Sequence, residues 1–397
     1  MEEERDYKYN SKEDYGEINR EIVLDEKSKH QTKQNSIHYN VEVMYYEDYE
    51  MYYLIIPEDY LNNIDELIQN KNDIFAKGKI LTFSTKNFSF DAVIDSSEED
   101  PDEEGTIYAY LVPIKDEYQH SIDITGNYSV QERNGDLTYE RMLDAINLFV
   151  KGNYCSKNLE NYILGKNITN KKRELKNVFN YKTEYFNYIY DFAKFTQSQE
   201  EKFLNIFYRE MNTMKINYDS NNNLICLMIY ALYQCRKNIN DKILICSSSN
   251  TSADSIALDL LRLQEHVEKF NMLRIYAKNQ EKIKRNKRLN KICFHKLMKR
   301  RNKKKFKNRQ DKKNWIIKKS NIIISTCVNS YNDDLINHKF PFVIIVDADN
   351  SNENENLIPI TLKAKHVLLI AYEGYDTKDI NLYKRMKYLY PENHYDI

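Results

Sequence analysis

Hydrophobic positions change their spacing twice along the chain. Between about Tyr39 and Asn134 they form short alternating or aliphatic runs: Val41–Tyr46, Met51–Ile56, Gly78–Phe83, Phe88–Ile94, Ile107–Ile114 and Tyr128–Glu132. Polar turns separate them, one being the acidic loop Ser96–Glu104. Several short strands at this spacing predict a small β-barrel or sandwich. Over Leu137–Gly165 the period becomes helical, with Met142, Leu143, Ile146 and Phe149 on one face. Two helices follow from that, Tyr139–Val150 and Ser156–Leu164, the second closed by Gly165 as a C-terminal cap.

Beyond a polar, aromatic connection (Asn167–Tyr190), helix and strand alternate. Gln197–Tyr208, Asn223–Cys235 and Ser252–Leu263 read as helices. Met211–Tyr218, Lys242–Cys246, Met272–Ala277, Asn321–Ser325, Phe342–Val346 and His366–Ile370 read as strands. Continuous aliphatic strands between amphipathic helices indicate a parallel sheet covered on both faces. Ligands of such sheets bind beyond the carboxyl ends of the strands, so the loops there are the candidate site. The expected organisation is a disordered acidic tail over 1–37, a β-barrel with flanking helices over 38–190, and an α/β domain over 191–397 that contains a basic helical insert, 278–319. The tail reads as disordered because it is charged and poor in aliphatic residues.

The net charge of -1 hides strong segregation. Lys278–Lys319 carries twenty Lys or Arg against two acids, Glu281 and Asp311. That density reads as a nucleic-acid footprint, with Arg300, Arg301, Lys303, Lys304 and Lys305 touching phosphates without reading sequence. A nuclear address or a solvated helix are the competing readings. The 33 Tyr against one Trp reflect a codon bias, since Tyr occurs in every segment. The six Cys form no CxxC pair and sit mostly in apolar runs, which fits reduced, buried thiols in an intracellular protein. No signal-peptide core and no eighteen-residue apolar run is present, so the expected location is cytoplasmic, with a nuclear one open, and no membrane partner is expected.

The loop after Val346 reads Asp347-Ala348-Asp349-Asn350. A carboxylate ending a buried strand is where a nucleotidase holds Mg²⁺, although an Asp in a strand-end turn needs no such role. Further blocks give that Asp a context. Phe342–Asp347 is followed by Glu355, Ile358-Pro359 and Lys363-Ala364-Lys365 before the next strand. Upstream lie Cys246-Ser-Ser-Ser249-Asn250 with Ala253 and Asp254, Ile324-Ser-Thr326-Cys327-Val328, Phe195–Gln199, and Thr138–Met142 with Ile163-Leu164-Gly165. Taken in chain order, the blocks resemble the up-frameshift RNA helicases of nonsense-mediated decay, a superfamily-1 family, over roughly residues 40–376.

The resemblance implies a RecA-like P-loop NTPase-type sheet preceded by a small β-barrel with supporting helices. It implies RNA-backbone contacts from Ser249, Asn250, Thr326 and Val328, and an adenine contact from Gln199. It places the phosphate loop at Ile216–Asn223, with Asn221, Asn222 and Asn223 as the nucleotide-binding positions and Asp347 as the residual metal ligand.

The departures from the family decide the expected function. A phosphate loop needs glycines, a Lys and a Ser or Thr. This chain has none of its eight glycines between Gly165 and Gly374, and Asn222 and Asn223 stand at the Lys and Ser/Thr positions. Ala348 replaces the catalytic Glu, and Ala371–Tyr375 lacks the sensor Gln. No second RecA-like domain and no Cys/His zinc domain is recognised. The expectation is therefore a degenerate helicase-like protein, ATPase-inactive, binding RNA or proteins of mRNA decay, with no cofactor beyond weak ATP and Mg²⁺. The alternatives are an ATP-dependent helicase half completed by a second chain, and a purely structural interaction protein.

Overall fold

The computed structural model describes residues 8–34, 39–46, 51–56, 80–86, 88–99, 107–113, 124–132, 136–166, 168, 197, 204–207, 209–216, 222–236, 238, 240–281, 286–300, 306–372 and 381–396. By its contacts the chain divides into two units: residues 1–23, 137–276 and 287–397, and residues 24–136 with 277–286.

The second unit is a closed antiparallel barrel in the order β1-β2-β5-β4-β3-β6. Its strands are β1 (Tyr39–Tyr46), β2 (Met51–Ile56), β3 (Ile80–Ser84), β4 (Ser89–Glu99), β5 (Ile107–Pro113) and β6 (Gly126–Glu132). Alternate residues such as Val41, Val43, Leu54, Leu81, Phe83, Ala92, Ile94, Ala109 and Leu111 form its core, as the period-two pattern requires. Phe83 and Phe90, paired across β3 and β4, stack at 4.9 Å. The acidic stretch that sequence assigns to a loop is partly strand. After a register shift between Ile94 and Ser96, β4 continues to pair with β5 as far as Glu99 opposite Ile107. A partner strand supplying ladder hydrogen bonds overrides the poor β propensity of those residues.

The first unit holds a seven-stranded sheet in the order β13-β7-β12-β11-β8-β10-β9, parallel at every pairing. Its strands are β7 (Met211–Ile216), β8 (Ile243–Ser247), β9 (Met272–Arg274), β10 (Ile322–Thr326), β11 (Phe342–Val346), β12 (His366–Tyr372) and β13 (His394–Asp396). Both faces are dry. Ile243, Ile245, Ile322, Ile324, Ile344 and Ile370 pack with one face's helices, including α4 (Asn222–Cys235) and α5 (Asn250–Leu263). The intervening residues Leu244, Cys246, Ile323, Val343, Ile345 and Leu369 pack on the opposite face.

That second face is covered by α2 (Asp136–Lys151), α3 (Lys157–Ile163), α9 (Glu353–Ile360) and α10 (Leu382–Leu389). Sequence order groups α2 and α3 with the barrel, but their apolar faces, through Met142, Ile146, Phe149 and Leu159, belong to the sheet's core. Gly165 follows α3 with φ +71, the left-handed cap its position predicts.

The amino-terminal stretch is not the disordered tail that composition predicts. Lys12–Gln34 forms helix α1. Ser11 Oγ accepts the Asp14 N–H at 3.1 Å, a capping contact. Tyr15, Asn19 and Val23 recur every four residues on one buried face, and the Tyr15 ring lies 4.7 Å from Tyr9 and 4.8 Å from Phe149. A single well-spaced buried stripe, its one polar member Asn19 satisfied by the Tyr15 carbonyl, outweighs a polar average.

The basic segment is built of short pieces: a 3-10 turn (Lys287–Lys291), α6 (Phe294–Lys299) and α7 (Arg309–Lys319). Leu289, Ile292, Phe294, Ile316 and Ile317 anchor it in the sheet unit's cores. Among the described residues no helix is long and apolar enough to cross a membrane.

Candidate nucleic-acid interface

Strands β10, β8 and β11 end nearly flush, since Thr326 pairs with Ser247 and Val346 with the same Ser247. The turns that follow therefore open from one edge of the sheet, which brings the candidate residues of three separate blocks together.

After β8 the chain turns into α5. The Ser247 hydroxyl donates to the Ser249 carbonyl at 2.6 Å. Ser249, exposed, caps α5 by accepting the Ser252 N–H at 3.1 Å. Asn250 is half-exposed, and its carbonyl groups face inward, where Arg274 Nη2 donates to Oδ1 at 2.8 Å and to the backbone oxygen at 3.4 Å.

After β10, Thr326 caps the short helix α8 (Cys327–Ser330) by accepting the Asn329 N–H at 3.3 Å. Val328 lies half-buried against the sheet's core, and its carbonyl accepts Arg141 Nη1 at 3.0 Å. Of the four residues matched to RNA contacts, Ser249 is thus the exposed one, Asn250 and Thr326 are half-exposed, and the Val328 side chain is engaged in packing.

After β11, Asp347 takes a left-handed conformation with φ 56 and ψ 38, which Asp tolerates better than most residues. Burial pushes its carboxyl pKa up, and a hydrogen bond from the Ser252 side chain on α5 partly offsets that. Ala348 is fully buried among apolar side chains, its carbonyl accepting Asn356 Nδ2 at 2.8 Å. Asp349, the next acid, is also buried; its backbone oxygen accepts Asn381 Nδ2 at 2.6 Å, and burial, with the Asp349 charge second, raises the pKa of the Tyr383 hydroxyl on α10. The turn therefore offers one half-buried carboxylate at the strand end where the two-acid pattern has a pair. A Mg²⁺-bound triphosphate needs several oxygen ligands plus a cation on its phosphates. The Asp347 carboxylate turned to Ser252, with Ala348 beside it and Asn222 and Asn223 across β12, does not fit that group.

Gln199, Asn221, Arg301, Lys303, Lys304 and Lys305 lie outside the described residues, as do 217–220 of the phosphate-loop position and Glu373–Tyr375. Asn222 and Asn223 open α4, their side chains also outside the description. Strand β12 lies between β7, which leads to that position, and β11, which leads to Asp347. Arg300 is exposed, with Nη2 donating to the Asn290 carbonyl at 3.0 Å. Lys312 and Lys313 are held by the fold itself, the first by the Met298 and Arg300 carbonyls at 2.5 and 2.7 Å, the second by Asp334 at 2.7 Å. Lys296, Lys299, Lys307, Arg309, Lys318 and Lys319 are exposed.

Sequence reasoning passed over Arg274, Tyr276 and Arg141. Arg274 is entirely buried, with Nε donating to Asp254 Oδ1 at 2.8 Å, and Tyr276 donates to the same oxygen at 2.7 Å. The available signal was a charged residue inside the apolar run Met272–Ala277, which a buried strand accepts only where a partner is waiting. Among the described residues no group of three or more His, Cys, Asp or Glu is placed to hold a metal ion.

None of the curated proteins compared with the chain matches it. Residues 278–370 match the family model described as an AAA domain, a model typical of superfamily-1 helicases of the up-frameshift type. The match begins at the basic segment and ends in β12, taking in the Thr326 and Asp347 turns. With a parallel sheet of the RecA-like kind and a separate closed β-barrel, the match makes residues 278–370 similar to helicase-like proteins of the P-loop NTPase type.

Proposed function

We propose that the protein binds RNA by its sugar-phosphate backbone and does not hydrolyse ATP. The observation that carries this reading is Ala348. Hydrolysis needs a group that orients and deprotonates the attacking water, and the residue following Asp347 is a methyl group sealed in the core. The phosphate-loop position adds a second reason, because in sequence Ile216–Asn223 contains neither Gly nor Lys and carries an acid, Asp219, whose charge would repel phosphates.

Binding of the strand is supported by what remains. The Ser249 and Thr326 turns and the amino terminus of the fourteen-residue α5 offer hydroxyls and helix-end N–H groups. Lys296, Lys299, Arg300, Lys307 and Arg309 supply charge without base reading. Such a surface binds weakly, without sequence preference and with strong salt dependence.

The test is fluorescence anisotropy of a labelled single-stranded RNA at about 50 and 200 mM salt, with and without ATP and Mg²⁺, beside a phosphate-release assay. The expected result is binding that falls steeply with salt, ignores ATP and releases no phosphate. ATP-dependent loosening of RNA would overturn the inactive reading and put the helicase half, completed by a second chain, in its place.

A further inference from the structure

Resting on the RNA-binding reading, we propose that Arg274 is a positioning residue of that face: its side chain orients Asn250 toward the RNA while its backbone docks the basic segment. The residue ends the edge strand β9 and is among the largest fully buried side chains of the protein. With no exposed surface it cannot itself touch a nucleic acid.

Each nitrogen of its guanidinium donates a hydrogen bond. Nε donates to Asp254 Oδ1 at 2.8 Å, Nη1 to the Ile275 carbonyl at 2.8 Å, and Nη2 to Asn250 Oδ1 at 2.8 Å. The ring of Tyr276 lies 4.0 Å from Cζ, and its hydroxyl donates to Asp254. Burying a guanidinium is expensive unless every partner is in place, and here a planar fork reaches two points on α5, residues 250 and 254. A Lys in its place is a point charge and cannot satisfy both.

The choice of partner atoms matters. A carboxamide has one accepting end and one donating end. By taking the Oδ1 end, Arg274 fixes the Asn250 Nδ2 end on the side away from the guanidinium, at a half-exposed position next to the exposed Ser249. A donor there suits a phosphate oxygen, whereas an inverted amide would offer it an acceptor. The main chain of Arg274 meanwhile holds the other half of the surface. Its N–H donates to the Ile292 carbonyl at 2.9 Å, and Arg274 forms a parallel bridge with Cys293, immediately before α6 with Lys296 and Lys299.

The test uses the full chain, single-stranded RNA and five variants: R274K, N250A, the double variant R274K/N250A, N250D, and K296A/K299A as the charge control. R274K and N250A are each expected to weaken binding about tenfold, the worth of one charge-assisted hydrogen bond. The double variant should be no weaker than either, since both remove one interaction. The salt slope should stay at the wild-type value in all three. In contrast, K296A/K299A should flatten it by about 0.7 for each phosphate no longer neutralised.

N250D separates positioning from stability. A carboxylate pairs better with Arg274, so the melting temperature should hold or rise while RNA affinity falls below that of N250A. N250A and N250D both leave the buried Arg274–Asp254 pair intact, so the contact is read even where R274K does not fold. Wild-type affinity in N250A and N250D, or additive losses in the double variant, would overturn the assignment alone. A wild-type chain that fails to bind RNA at low salt would remove the RNA-binding reading and this assignment with it.

Discussion

His366 opens β12 with its ring wholly inside the sheet unit, Nε2 lying 2.7 Å from the Ile206 carbonyl. Burial lowers its pKa from the usual 6.5 to about 4. Between those values the unfolded chain binds a proton that the folded one refuses, so stability is complete above pH 6.5 and falls as the pH drops toward 4. The loss amounts to about 3 kcal/mol once both values are passed. Urea midpoints measured from pH 7 to 4 should show the decline, and His366→Gln, which keeps a donor for Ile206, should flatten it.

Asp347 gives a second residue-scale expectation. Burial raises its carboxyl pKa, so ionisation at neutral pH opposes folding. Asn accepts the same left-handed backbone and carries no charge. Asp347→Asn should therefore raise the urea midpoint at pH 7, and a lowered midpoint would mean that the carboxylate holds the turn together.

At the scale of elements, α1 and α7 show how single contacts fix whole helices. Tyr15→Ala removes the ring packed between Tyr9 and Phe149 and should cost about 3–5 kcal/mol. Limited proteolysis should then cut first within residues 12–23. Helix α7 ends on Lys242, whose ammonium donates to the carbonyls of Ile317, Lys318 and Ser320 at 2.8, 3.1 and 2.5 Å.

Lys242→Met leaves those carbonyls without their cation, and destabilisation of about 1–3 kcal/mol is expected. The single Trp315 lies on that helix, so its fluorescence reports the change directly. The barrel strands and six of the seven sheet strands were legible in the sequence because aliphatic runs such as Phe342–Val346 and His366–Ile370 admit one reading, whereas the three-residue β13 carries no such run. Helix α1 was not, because its buried stripe is three residues among twenty mostly polar ones and a compositional average dilutes it. The Arg274 cluster was hidden for another reason: Asn250, Asp254 and Arg274 meet only after a helix and a crossover have been folded.

For the molecule as a whole, position in the sheet ranks local stability. β8 and β11 are flanked on both sides, covered on both faces, and buried at every position, whereas β9 and β13 are short strands at the ends of the order. Native-state amide exchange should be slowest at Leu244–Cys246 and Ile344–Val346 and fastest, within the sheet, at Tyr395. Sequence periodicity announced a two-sided parallel sheet but not its order, since the pattern within one strand says nothing about its neighbour. It misgrouped α2 and α3 for the same reason, chain proximity being a weaker guide than the face each helix buries.

The closure of the barrel carries a consequence for synthesis. β6 pairs with both β1 and β3, so the ring is complete only when residue 132 has left the ribosome. Until then Tyr39–Tyr46 and Met51–Ile56 are uncovered, and segments such as YNVEVMYY and MYYLII have the composition from which fibrils grow. Once β6 is seated the six described strands of the barrel leave no edge of that sheet to recruit another chain. The nascent protein thus passes its most sticky interval early, and a translational pause placed before residue 132 would lengthen that interval, whereas one placed after it would not.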